Sequence, residues 1–123
     1  MGKEKEQIEF AISERVGDIL DVQMGEGSDH ITTNINDEAI LIRLKNALSL
    51  AERYVMKNPE GAKAIKELKE KIIENVKSQL ENIIKELTNT KVTNIYSDIN
   101  TKTGERIIVI TVDENLEEKF KRR

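Results

Sequence analysis

Apolar residues along this chain follow two periods, and the places where one gives way to the other mark its elements. Over residues 5–22, Ile8, Ile12, Val16, Ile19 and Leu20 recur at the spacing of one helical face. Glu6 and Glu9 lie in the early turns, where the helix macrodipole favours negative charge. Gly25-Glu26-Gly27 then breaks the pattern. From His30 the period drops to two: Ile31, Thr33 and Ile35 share one face of a predicted strand, and His30, Thr32 and Asn34 the other. Asn36-Asp37 supplies two residues that tolerate positive φ, which predicts a hairpin turn. In the returning strand Ile40, Ile42 and Leu44 alternate with Ala39, Leu41 and Arg43. Because the run from Ala39 to Ile42 is apolar on both faces, this strand is expected to lie nearer the sheet centre than its partner.

Ser49-Leu50-Ala51-Glu52 has the form of a capping box, in which the Ser49 hydroxyl accepts from the amide of Glu52 and the Glu52 carboxylate reaches back. It predicts a short helix ending near Lys57. Pro59 blocks simple continuation, and Asn58 as N-cap with Pro59 in the first turn opens a long helix that runs to Thr88. Ile65, Leu68, Ile72, Val76, Leu80, Ile83 and Leu87 step along it by threes and fours, with Ile73 and Ile84 widening the stripe. Glu67/Lys71 and Glu81/Lys85 add favourable pairs on the other faces. From Glu60 to Thr88 such a helix extends about 43 Å at ~1.5 Å per residue. A globule of this chain length has a diameter of roughly 35 Å. Two compatible expectations follow: the stripe is the domain's own core, and part of it is a homodimer interface, with those seven residues as the candidate contacts.

After Asn89-Thr90 the period returns to two. Val92, Asn94 and Tyr96 alternate with Thr93, Ile95 and Ser97, and Arg106 to Val112 is almost continuously apolar. The turn-forming residues between Asn100 and Glu105 predict a second hairpin. The tail from Glu114 to Arg123 is charged, with Leu116 and Phe120 as its anchors. The expected fold is α+β: helix, β-hairpin, short helix, long helix, β-hairpin, with a four-stranded antiparallel sheet packed against helices.

At 123 residues the chain is expected to form a single domain, 1–123, with its core over about 8–112 and a charged tail over 113–123. Aromatics make up 3%, so Ile, Leu and Val must fill that core. A net charge of −3 with both signs interspersed leaves no electrostatic footprint for nucleic acid. The absence of cysteine removes disulfides, thiolate nucleophiles and thiolate metal sites. No signal peptide or 18-residue apolar run is present, which points to a cytoplasmic protein without direct membrane insertion. Met1-Gly2 raises N-myristoylation, but the sixth position is Glu6 where that motif needs Ser or Thr.

Candidate chemistry is sparse. Gly25, Glu26, Gly27 and Ser28 form the most unusual loop, and a glycine pair lets backbone amides approach an anion. The loop follows a helix and precedes a strand, the reverse of a phosphate-binding strand–loop–helix, so helix termination is the plainer reading. Asp98 to Gly104 resembles the start of a calcium loop but has Lys102 at position five, Thr103 at the glycine position and Val109 at position twelve. His30 is the only histidine, with Asp29 beside it and Asp18 and Asp21 upstream, a spacing that requires no metal. No serine has a base partner in view beyond that histidine. The chain is therefore expected to be non-enzymatic, with no cofactor and no metal.

The order of these pieces carries a resemblance. A helix runs to Gly25-Glu26-Gly27, a hairpin follows, and Leu48-Ser49-Leu50-Ala51-Glu52 leads to a long helix with Gly61 near its start. Thr90 to Asp98 then precedes an apolar strand. The chain resembles the MpsC family, named for a Na+-translocating membrane-potential-generating system and long known as a domain of unknown function. Where that family has Gly-Arg-Gly-Pro, this chain has Gly25-Glu26-Gly27-Ser28, losing a positive charge and the proline. Leu48-Ser49-Leu50-Ala51-Glu52 stands where the family has Leu-Thr-Pro-x-Glu, and Thr88-Asn89-Thr90-Lys91-Val92 matches its Thr-Gly-x-x-Val loosely. The resemblance spans roughly residues 8–112. It implies an accessory protein linked to a membrane Na+/bicarbonate or membrane-potential system, working through protein contacts with a membrane transport protein, and it brings no active-site residues.

Overall fold

The computed structural model describes residues 2–25 and 28–121. Helix α1 covers Gly2–Gly17 and continues as a π-helical turn over Asp18–Gln23, closed by a hydrogen bond of 3.1 Å from the Met24 amide to the Ile19 carbonyl. Strands β1 (His30–Asn36) and β2 (Ala39–Lys45) follow, then helices α2 (Leu50–Val55) and α3 (Pro59–Thr88). Strands β3 (Val92–Ile99) and β4 (Arg106–Val112) and the terminal helix α4 (Leu116–Lys121) complete the chain. The four strands form one antiparallel sheet in the order β1-β2-β4-β3. The doubly apolar β2 is central and β1 is an edge, as the pattern requires.

The sheet has one dressed face. Helix α1 packs on β1, α3 packs on β3, and the two helices pack on each other. Ile12, Val16 and Leu20 of the first helix, Val76, Leu80 and Ile84 of α3, and Ile40, Ile42, Ile108 and Ile110 of the central strands meet between them, fully buried. Burying such aliphatic side chains contributes about 1.5–3 kcal/mol each, which is how a core almost without aromatics is sustained. A smaller cluster of Leu48, Ile65 and Ile99, with Met56 against it, closes the end beneath α2.

Local chemistry fixes the helix boundaries. The Ser49/Glu52 capping box is complete, with Glu52 N donating to Ser49 Oγ at 3.1 Å and Ser49 N to the Glu52 carboxylate at 2.8 Å. Asn58 Oδ1 accepts from the Gly61 amide at 2.8 Å, and Pro59 occupies the first turn of α3. Asn89 ends the helix in the left-handed conformation at φ 55°.

Three details differ from the sequence pattern. Strand β1 extends through Asn36, so the hairpin turn is Asp37-Glu38, with Asp37 at φ 56°. The register of β3 on β4 shifts between Val92 and Asn94, a bulge at Thr93 that lets both Val92 and Ile95 reach the core despite their odd spacing. The charged tail is docked: Leu116 and Phe120 of α4 are buried against the main core, and Lys5 of α1 hydrogen-bonds Glu117. Asn100 Oδ1 accepts from the amides of Lys102 and Thr103 at 2.9 and 3.2 Å, and Gly104 takes φ 78°. The segment that resembled a calcium loop is thus a hairpin held by its own asparagine.

Candidate interaction surfaces

The glycine loop is built on Asp21. Gly25 sits at φ 71°, open to a glycine without strain, and ends the π-helical turn. Glu26 and Gly27 lie outside the described residues. Ser28 donates to the Asp21 carboxylate from both its amide (3.0 Å) and its hydroxyl (2.7 and 2.9 Å to the two oxygens). The donors of Ser28 are therefore spent on a carboxylate of the chain itself.

Two cations that sequence reasoning passed over are buried. Lys69 of α3 is 3.2 Å from the Glu52 carboxylate, which also closes the cap of α2. Burial pushes the Lys69 ammonium below its ordinary range, opposed chiefly by Glu52 and also by the charge of Asp21. Arg106, at the start of β4, donates from Nη2 to the Lys69 carbonyl at 2.7 Å, and burial pulls its guanidinium down to about 10. The two side chains tie α2, α3 and β4 together. Their inward placement was legible in register: Lys69 lies four residues from both Ile65 and Ile73, and Arg106 shares the parity of Ile108 and Ile110. His30 is exposed at the edge strand, and the neighbouring Asp29 carboxylate accepts from Asn46 Nδ2 at 2.9 Å. Among the described residues no group of three or more His, Asp or Glu side chains is placed to hold a metal ion.

The candidate interface on α3 needs correction. Ile65, Val76, Leu80 and Ile83 are buried in the chain's own core, and Ile72 and Leu87 are half-buried against it. Leu68 alone among the seven is exposed, at 44%. The length comparison misleads because α3 does not overhang: α2 and the smaller cluster cover its first turns, while the sheet and α1 cover the rest. A second subunit cannot dock on that ladder without displacing the sheet.

Exposed apolar surface lies elsewhere. Helix α2 buries none of its residues, and Leu50 and Tyr54, one turn apart, are 85% and 72% exposed. The second surface is the sheet face opposite the helices. On it Leu41 of β2, Val109 of β4 and Tyr96 of β3 lie in one cross-strand row, and Arg43, Ile107 and Asp98 lie in the next. Tyr96 is 57% exposed and Ile107 36%. The outward residues of β1, from His30 to Asn36, are all polar. An apolar centre with a polar margin is the anatomy of a contact surface.

No helix among the described residues is long and apolar enough to cross a membrane. No solved structure matches the chain. The uncharacterized protein YbcI of Bacillus subtilis (strain 168) is 31% identical over 122 residues, which span 99% of this chain and 98% of that protein. Residues 4–114 match the family described as the Na+-translocating membrane potential-generating system (MpsC). With that match running from the first turns of α1 to the end of the sheet, and with a full-length relative beside it, the chain belongs to the MpsC family.

Proposed function

We propose that the chain is a non-enzymatic, cytoplasmic accessory protein of a Na+-translocating or bicarbonate-linked membrane-potential system, acting by contact with a membrane-embedded partner. The family description, a Na+-translocating membrane potential-generating system, supports the link to such a system. The observation that carries contact as the mode of action is α2. This short helix is pinned by its capping box, by the Lys69–Glu52 pair and by the close approach of the Val55 carbonyl to Gly61, yet it turns Leu50 and Tyr54 outward. A rigidly held, exposed apolar pair, whose Tyr54 ring is met from above by the Lys57 ammonium at 4.0 Å, suits docking. Affinity purification of the tagged chain from detergent-solubilised native membranes should bring down a transport protein. Leu50→Glu with Tyr54→Glu should abolish the association while lowering stability by no more than about 1 kcal/mol, the worth of the exposed Lys57–Tyr54 contact. Recovery of no membrane protein by the unmodified chain would defeat the proposal.

A second reading, an anion-binding sensor at Gly25–Ser28, draws support from Lys69, whose buried ammonium feels the charge of Asp21, the carboxylate that Ser28 hydrogen-bonds. Ligand binding would raise the melting temperature by mass action, so thermal-shift measurement with phosphate, bicarbonate and nucleotides tests it. A flat response to all three, with Gly25→Ala neutral for partner capture, retires it.

A further inference from the structure

The sheet face that no helix covers is self-complementary. Its apolar residues are not centred on the four-stranded sheet but on β4: Ile107 and Val109 lie on that strand, Leu41 on β2 to one side and Tyr96 on β3 to the other. Arg43 and Asp98 flank Ile107 in the same cross-strand row, also one strand to either side. We propose that this face pairs with the same face of a second copy of the chain, about a two-fold axis running along β4.

Such an axis inverts the order of strands and preserves position along them. Val109 and Ile107 therefore meet their own counterparts, β2 of one copy lies over β3 of the other, and Leu41 packs on Tyr96. Arg43 is then set against Asp98 twice, once on each side of the axis. Within each copy Arg43 already holds Glu105 at 2.7 Å and Asp98 is 3.7 Å from Lys66, so each margin becomes a row of four charges of alternating sign. The wholly polar outward residues of β1 fall beyond the contact and stay in water. A shift of the axis to the middle of the sheet would instead put Arg43 over Ile107, desolvating a guanidinium against an aliphatic chain. Charge complementarity thus selects the β4-centred register, and the apolar centre provides the attraction.

The contact is small. Three strands at ~4.8 Å spacing and seven residues at ~3.4 Å give a projected area of roughly 350 Å² on each copy. Standard specific interfaces take about 800 Å² from each partner, so the dimer is weak and reversible. Half-association is expected at roughly tens to hundreds of micromolar, with k_off setting the value.

Sedimentation velocity and light scattering on the purified full chain decide the matter, without membranes and so independently of the contact proposed for α2. The mean mass should climb from the 14.1 kDa of the single chain toward twice that value as concentration rises. Arg43→Asp gives a face with two acids, and Asp98→Arg a face with two bases. Each alone should weaken association about tenfold through like-charge opposition across the axis. Mixed in equal amounts, the two variants should recover it, because in the mixed pair every margin contact is again of opposite sign. A folding defect cannot produce that rescue. A constant 14.1 kDa mass up to millimolar concentration would overturn the proposal. So would association that neither variant weakens, or variants that do not pair when mixed.

Discussion

Replacing Gly61 by alanine sets helix propensity against tertiary packing, and the structure says which wins. Within a helix, glycine costs up to ~1 kcal/mol relative to alanine, so propensity alone predicts that Gly61→Ala stabilises α3. A Cβ at that position would stand 1.7 Å from the Val55 carbonyl oxygen and 2.7 Å from its carbon. Both are backbone atoms at the end of α2, so no side-chain rotation relieves the clash. Restoring van der Waals distance requires α2 and α3 to separate by roughly 1.5 Å. That movement strains the Asn58 cap at 2.8 Å and the Lys69–Glu52 pair at 3.2 Å. Overpacking of this kind costs about 1–3 kcal/mol, and failure to accommodate it costs more, so the expected net loss is about 2 kcal/mol. For a domain of this size that lowers Tm by about 8 °C. Urea unfolding followed by far-ultraviolet circular dichroism should show a lower midpoint with an unchanged m-value. A variant that melts at or above the parent temperature would refute the reasoning, and with it the claim that α2 is pinned against α3.

Other outcomes follow from the same packing. Leu80→Ala empties a fully buried site between α1, α3 and the sheet and should cost about 3 kcal/mol by urea unfolding, whereas Leu68→Ala on the same helix should stay within about 0.5 kcal/mol. Glu52→Ala removes both a capping-box carboxylate and the counter-charge 3.2 Å from the buried Lys69 ammonium, and should cost about 3 kcal/mol; a loss below about 1 kcal/mol would deny the pair its structural role. The hydrogen bond from Lys5 holds the Glu117 carboxyl below its ordinary value and raises the Lys5 ammonium. A lowered folded-state value for the acid means that its contribution is complete above the ordinary value of 4.5 and is lost as pH falls through the folded one. Amide exchange in residues 116–121 should therefore accelerate relative to α3 on acidification to about pH 3, and equal protection at pH 3 and pH 7 would contradict the sign.

Much of this architecture was legible in side-chain period and cap chemistry. The Ser49 box, the Asn58-Pro59 start and the two-residue alternation around Ile40 and Ile108 act over a few residues, and local sequence contains local causes. Features that depend on what lies across the core were harder to read. Lys69 looks like one more lysine on a charged helix until its phase with Ile65 and Ile73 is counted. The bulge at Thr93 is a decision between two strands, so the spacing of Val92 and Ile95 within one strand does not announce it. The tail lies outside a core drawn over 8–112 because only two apolar residues, Leu116 and Phe120, mark it, although both are buried. Helix length set against an average diameter does not decide whether the ladder on α3 is free for a second subunit; what covers each turn does. The bare sheet face went unread for a related reason: exposure of Tyr96 and Ile107 follows from all helices choosing the other side.

The strand order has a kinetic side. Strand β2 hydrogen-bonds β1 across a two-residue turn, but its other edge waits for β4, which is synthesised only after both α2 and α3. Until then an emerging chain holds an unsatisfied β2 edge, with Ile40, Ile42 and Leu44 on a face that has no floor. Contacts of such long sequence separation slow folding and leave sticky intermediates. The nascent protein must therefore be almost entirely out of the ribosome before its core can close, and the apolar stripe of α3, made in the interval, waits uncovered with it.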